Sequence, residues 1–307
     1  MVRSATACAV ALVLVASTSA QGIHVMHVQG NVYMIVGAGA NIVASVGENG
    51  VLLVDSGNAA SAEGVLAAVR TLSPKLPIQY IINTQFKDDH TGGNQTLAKT
   101  GRRLKDPEST QAVILAHENV LNRMSAPSGS LASRPVDAWP TDTFFSRTKE
   151  VFFNGEAVVL HHQPGHTDGD TFVFFRKSDV IAAGDLYINT TFPVIDVDAG
   201  GHINSVINGL NDILEITVPA NNAEDGTLVV PGEGRLADEL DVAEYRDMVT
   251  IVRDRVQDAI RRGQTLEQVK TDKRIVLEYE GRYGGKGTPW TTERFLEAVY
   301  KNLTAKP

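Results

Sequence analysis

The residues most able to do chemistry in this chain are gathered where apolar runs end. Asn83–Asn94 reads N-T-Q-F-K-D-D-H-T-G-G-N and follows the β-like run Ile78–Ile82, so carboxylates, an imidazole, an amide and an ammonium all arrive within a few residues of a strand end. Side chains delivered in this way reach the edge of a sheet, where α/β proteins usually place their sites. Three later segments have the same layout of strand then polar loop: G-H-T-D-G-D around His166, A-G-D ending at Asp185, and V-P-G-E-G carrying Glu233. Imidazole and carboxylate are the side chains that ligate metals and exchange protons near neutral pH.

These four segments, in this order, resemble the metal-binding motifs of the metallo-β-lactamase superfamily. That family's central pattern is T-H-x-H-x-D-H-x-G-G-N, and Thr84, Asp89, His90, Gly92, Gly93 and Asn94 match it. Gln85 and Lys87 stand where its two leading histidines belong. The resemblance covers about residues 22–234. It implies an α/β (α+β) fold, a four-layer αββα sandwich of two face-to-face sheets with helices outside, followed by a C-terminal helical extension.

In the family, one metal takes the two leading histidines and the histidine of G-H-T. Only His166 remains here. A lysine ammonium has no lone pair, and an amide oxygen is a poor zinc ligand beside imidazole. The resemblance therefore implies that this position is lost. The second family position uses an aspartate and a histidine of the central motif, the aspartate of A-G-D and a late histidine. Its counterparts are Asp89, His90, Asp185 and Glu233, three oxygen donors and one nitrogen. Such a set suits one divalent ion, zinc first, with manganese or iron(II) admissible. Asp89 and Lys87 are the candidate catalytic residues, the ammonium replacing the lost ion in facing a substrate carbonyl or its oxyanion. Asp55 and Asp168 are expected as supports behind the site, although a helix cap is an equal reading for Asp55.

Charge alone leaves occupancy open. Asp89, Asp185 and Glu233 carry three negative charges against one on Lys87; a divalent ion balances the cluster, and so does protonating His90 and His166 with no ion at all. In the metal-free alternative Lys87 is held by Asp89 or Asp185. Two functions follow. One is a hydrolase of an ester, thioester, lactone or amide with a single altered metal centre. The other is an inactive, metallo-β-lactamase-fold protein that has lost its dinuclear zinc site and binds a ligand or partner.

The elements that must hold these residues can be read along the chain. Short runs at Ile23–Val28, Val32–Val36, Ile42–Val46 and Val51–Val54, broken by turn residues, predict antiparallel hairpins. A helix is expected over Ser61–Leu72, another near Gln95–Thr100, a strand over Ala112–Leu115 and a helix over Glu118–Met124. Ser125–Thr141 reads as a long loop. Strands are expected at Val151–Phe153, Ala157–His161, Phe172–Phe175, Val180–Ala183 and Leu228–Val230. Apolar periodicity predicts helices over Ile203–Leu214, Ala243–Arg262 and Thr292–Asn302, with a capping box at Thr265 and Gln268. The division expected is residues 1–20, 21–235 and 236–307, the last packed on the domain. His24, His27, His117, His161 and His162 read as structural, and His202 as a rim residue.

The 307 residues, 43% hydrophobic, suffice for one large domain or two modest ones. Net charge is −8 and no basic run exceeds the short cluster at Arg102, Arg103 and Lys105, which argues against a nucleic-acid partner. A small-molecule substrate or ligand is expected. Met1–Ala20 has a basic start, an apolar core and a small-residue end, the layout of a secretory signal and too short for a comfortable membrane span. Export to a periplasm or beyond is therefore expected, with no stable membrane anchor. Its removal would take the lone Cys8 with it, leaving no thiolate for a disulfide or a metal.

Overall fold

The structure, a computed structural model, describes residues 22–103, 106, 108–126, 134–219 and 226–305. The expected signal segment with Cys8, Lys105, and the middle of the 125–141 stretch lie outside the described residues.

Two sheets face each other. The first runs β1 (His24–Gln29), β2 (Val32–Val36), β3 (Ile42–Gly47), β4 (Gly50–Val54), β5 (Ile78–Asn83), β6 (Val113–His117) and β7 (Asp142–Phe144), in that spatial order. Tight turns make β1–β4 antiparallel, whereas β4 to β7 pair in parallel. The second sheet has the order β12 (Leu228–Pro231), β11 (Val180–Gly184), β10 (Thr171–Phe175), β9 (Glu156–His162) and β8 (Thr148–Phe153), parallel only between β11 and β12.

The period of two along each strand sorts side chains between a shared central core and an outer core on each sheet. Leu52 and Val54 of β4, Val113 and Leu115 of β6, and Val173, Phe175, Val180 and Ala182 of the second sheet meet between the sheets. Their neighbours Val51, Leu53 and Ile114 point out of the first sheet onto α1 (Ala62–Leu72) and α3 (Asn94–Thr100). Phe172, Ile181, Ala183 and Val229 point out of the second sheet onto α5 (Ile203–Ile216), α6 (Glu239–Arg261) and α9 (Thr292–Thr304). The result is the expected αββα sandwich, with the C-terminal helices supplying much of the fourth layer. Burying both faces explains why strands such as β4 and β11 read as continuous apolar runs.

Three elements differ from the sequence reading. A short helix, α2 (Asp88–Thr91), lies inside the central motif; at four residues it is too brief to show periodicity. β7 follows the loop after α4 (Glu118–Met124), and its D-T-F composition carries no alternation. The long C-terminal helix begins at Glu239, four residues before the expected Ala243, because Asp238 and Asp241 form a capping box. The box at Thr265 and Gln268 opens α7 (Leu266–Thr271) as expected. α8 (Glu280–Tyr283) then leads towards α9.

Candidate active site

The residues singled out above converge at the C-terminal ends of β4, β5, β11 and β12 and on the 163–170 loop between β9 and β10. Asp55 follows β4 with φ of 65°, a left-handed conformation that an aspartate tolerates and that turns its carboxylate back toward β5. Its Oδ1 accepts the Thr84 backbone N–H at 2.8 Å, and its Oδ2 accepts the Thr84 hydroxyl at 2.7 Å. Oδ2 also lies 2.8 Å from Nδ1 of His90. Asp55 caps no helix; Asn58 caps the turn that follows. With Nδ1 given to a carboxylate, His90 presents Nε2 to the pocket, 3.3 Å from Asp185 Oδ2 and 3.9 Å from Asp89 Oδ2. His166 is fixed in the same way, with Nδ1 2.8 Å from the Val194 carbonyl and Nε2 3.7 Å from Asp185 Oδ2. Both Nε2 atoms are buried and lack an aligned hydrogen-bond partner.

Asp185 is brought in by two glycines. Gly184 has φ of 54°, and a Cβ there would stand 2.8 Å from the Thr84 side chain; a Cβ on Gly232 would collide with Asp185 itself. Glu233 follows Gly232 and lines the same cavity of about 330 Å³, with Lys87, Asp89, His166, Asp185 and Ile188. Burial, then the carboxylates of Asp185 and Asp89, raise the Glu233 carboxyl above its usual range, against a hydrogen bond from Thr190.

Burial works against charge on His90, but the Asp185 and Asp55 carboxylates outweigh it and hold the imidazole well above its ordinary pKa. Burial likewise disfavours the Asp185 carboxylate, and His90, His166 and Lys87 together reverse that and hold it below the usual range. Without an ion, the stable form is an imidazolium beside a carboxylate. An imidazole that ligates must first lose that proton, so protons and cations compete at His90.

The other wall is rebuilt. Gln85 is fully buried, its Oε1 accepting the Lys87 backbone N–H at 2.7 Å and its NH2 donating to Asp185 Oδ2 at 3.1 Å. Its donor side therefore faces the site. Lys87 Nζ reaches neither Asp89 nor Asp185 in the manner of the metal-free expectation; it pairs with Asp196 at 3.0 Å, both side chains 30% exposed. With the Gln85 oxygen taken by the Lys87 backbone N–H and the Lys87 ammonium held by Asp196, neither residue fits a metal at the place of the family's three-histidine ion. The orphaned imidazole nitrogens beside Asp185 have the donor chemistry that does fit one, with Asp89 and Glu233 on the same cavity. As the side chains stand, though, no group of three or more His, Cys, Asp or Glu among the described residues is arranged so that it could hold a metal ion.

The structure adds residues that the sequence did not single out. Asp196, far along the chain, orders the Lys87 ammonium and caps the turn that follows it, accepting from the Ala199 backbone N–H at 3.1 Å. Asp170 accepts from the Thr167 N–H at 2.9 Å and hydroxyl at 2.6 Å and so shapes the turn around His166; burial pushes its carboxyl up to about 6. The motif's G-H-T-D-G-D spacing was the only signal for it. Asp168 accepts from Arg123 through two bonds of 2.8 Å, which tie its loop to α4. Asn94 pairs its amide with that of Asn83 and is structural. His117 and His202 each accept a backbone N–H at a helix start. His161 stacks on Phe172, His162 on His117, and His27 contacts Tyr33.

Comparison with known proteins agrees with this fold. The family model described as the metallo-beta-lactamase superfamily matches residues 26–275. An uncharacterized protein, YobT, of Bacillus subtilis (strain 168) is 26% identical over 143 residues, 46% of this chain and 58% of that protein. The chain thus spans little more than half the length of that relative. Among solved structures, the stereoselective inverting sec-alkylsulfatase Pisa1 from Pseudomonas sp. superposes with a TM-score of 0.64 at 16% identity, over 91% of this chain and 50% of that one. A metallo-beta-lactamase from Cronobacter sakazakii gives 0.59 at 17% identity, over 80% of this chain and 98% of that one. At such identities the likeness is one of fold.

Proposed function

The chain belongs to the metallo-beta-lactamase superfamily, and from that premise we propose that it is a hydrolase of an ester, thioester, lactone or amide working with at most one divalent ion. The observation that carries this reading is the pair of buried imidazole nitrogens, on His90 and His166, that converge on the Asp185 carboxylate at 3.3 and 3.7 Å without an aligned hydrogen bond. Buried polar atoms are seldom left so unless a function uses them. His90, Asp185, Asp89 and Glu233 would hold the ion, zinc first and manganese or iron(II) next, and Asp55 and the Val194 carbonyl fix the two rings as second-layer acceptors do in metal sites. A bound ion would supply a water acidified to near neutral pH and polarisation of the scissile carbonyl. The chain's own part is orientation and charge. Gln85 holds Asp185 in place, and Lys87, tethered at the rim, is the cation available to a developing oxyanion once it leaves Asp196. We further propose export of the mature chain; no described helix is long and apolar enough to cross a membrane.

A panel of activated esters, thioesters, lactones and amides, assayed after metal removal and after reloading with zinc, manganese or iron(II), tests the reading. Turnover with at least one pairing is expected, falling about 100-fold or more in Asp185→Asn. Absence of turnover with every ion overturns it. A second reading, a ligand-binding protein without catalysis, rests on the Gln85 amide donating to Asp185 where an ion's neighbour would stand. It gains if the panel is silent.

A further inference from the structure

A second cavity, of about 500 Å³, opens directly beside the first and shares Lys87 and Val194 with it. Each lies in the range of small-molecule sites. One wall is the segment 194–198, which carries Asp196. The other comes from α9 and from Trp290, two residues before it: Trp290, Arg294, Ala298 and Lys301. Arg294, Ala298 and Lys301 are spaced i, i+4, i+7, so they form one stripe along the groove, with the small Ala298 leaving room between two cations. Trp290 is anchored by its indole N–H, which donates to the Pro193 carbonyl at 3.1 Å, so its ring is a fixed part of the wall.

The charges of this groove can be paired off. Lys87 is met by Asp196 at 3.0 Å. Glu297 is met by Lys301 at 2.7 Å and approached by Lys270 at 3.9 Å. Asp198, on the opposite wall, sits within the field of Lys301. Arg294 makes no close ion pair among the described residues; it lies in the field of Glu297, which Lys301 already holds, and it is exposed in a groove that Trp290 also lines.

We propose that this groove is the subsite for the far end of the substrate, and that it selects an apolar or aromatic group ending in a carboxylate, read by Arg294 with Trp290 as the platform. The inference rests on the reading that the pocket beside Lys87 is the reacting site, since Lys87 stands at the junction and a ligand spanning both cavities must pass it. Arg294 is then a specificity residue about two helical turns from α9's far cation, Lys301, and takes no part in bond breaking. A guanidinium suits the task because it binds a carboxylate through two parallel hydrogen bonds and stays charged at any working pH.

The test is a binding measurement on the full chain, with no metal added and no turnover required. The protein is titrated with 4-phenylbutyrate and with its neutral amide, 4-phenylbutanamide, following tryptophan fluorescence; Trp139 and Trp290 are the two tryptophans, and Trp290→Phe assigns the signal. The expected result is a saturable change that Trp290→Phe removes, with the acid binding roughly tenfold tighter than the amide. Arg294→Gln should abolish that preference while the amide's affinity stays the same. Arg294 is exposed, so the variant should keep the parent's circular dichroism, and Arg294→Lys should recover only part of the preference. Equal binding of acid and amide to the parent, an unchanged preference in Arg294→Gln, or no saturable signal overturns the proposal. A catalytically silent protein that shows the preference leaves the groove standing and removes only the hydrolase reading. An active protein without the preference does the reverse.

Discussion

The two walls of the pocket are held by different physics. On one, His90 is fully buried and wired through Asp55 to Thr84, with no exposed atom in the chain of bonds. On the other, Lys87 is tied to Asp196 by one ion pair open to solvent. The first wall keeps the residues of the central motif; the second carries two of the three substitutions, Gln85 and Lys87, the third being Glu233 in place of the late histidine. A buried, fully satisfied network tolerates little change because each member is the partner of another. A part-exposed ion pair such as Lys87–Asp196 can be exchanged at small cost, whereas Gln85 on the same wall is fully buried and bonded to Asp185.

The largest effect should therefore come from breaking the buried wall. Asp55→Ala strips the partner from His90 Nδ1 and from both Thr84 donors, and should destabilise the fold by about 3–5 kcal/mol in chemical denaturation. A loss under about 1 kcal/mol would mean that the two walls do not differ in kind.

A smaller, pH-dependent effect should appear behind the retained wall. The His117 and His162 rings are stacked with centroids 3.5 Å apart, and His162 Nε2 lies 2.9 Å from the Asp168 carbonyl in the loop that carries His166. Burial, then the neighbouring His162, pushes the His117 pKa down to about 4. The folded value lies below the ordinary 6.5, so the stability from keeping this ring neutral is complete above pH 6.5 and is lost as pH falls through about 4. The melting temperature should drop over that window, and His117→Asn, which can still cap α4, should flatten the drop. An equally steep profile in the variant would place the acid sensitivity elsewhere.

The smallest effect belongs to the rebuilt wall. Lys87→Met should shift stability by no more than about 1 kcal/mol, because an exposed pair is screened and its loss leaves Asp196 able to reach water. A loss comparable to that of Asp55→Ala would show that Lys87 is a structural residue and erase the contrast.

Much of this architecture was legible in the sequence. Alternation and close turn spacing marked β1–β4, and the apolar stripes marked α5, α6 and α9, because each of these patterns is repeated over enough residues to be seen. α2 and β7 were not legible, being too short to carry a period. At the site, the residue types were readable but their orientations were not. Gln85 could have offered an oxygen; the Lys87 backbone N–H claims that oxygen and turns the amide donor inward. In the metal-free alternative Lys87 was expected on Asp89 or Asp185, yet its ion-pair partner is Asp196, supplied by a segment far along the chain that no local pattern joins to the motif.

The central claim is that the rebuilt wall has lost its ion position while the retained wall keeps the donors for one. Zinc stoichiometry after equilibrium dialysis, measured by elemental analysis on the full chain and on the double variant Gln85→His with Lys87→His, addresses it directly. The account predicts one equivalent or less for the parent and one more for the double variant, where the two introduced imidazoles would join that of His166. Two tightly held zinc ions in the parent, or no gain in the double variant, would contradict it.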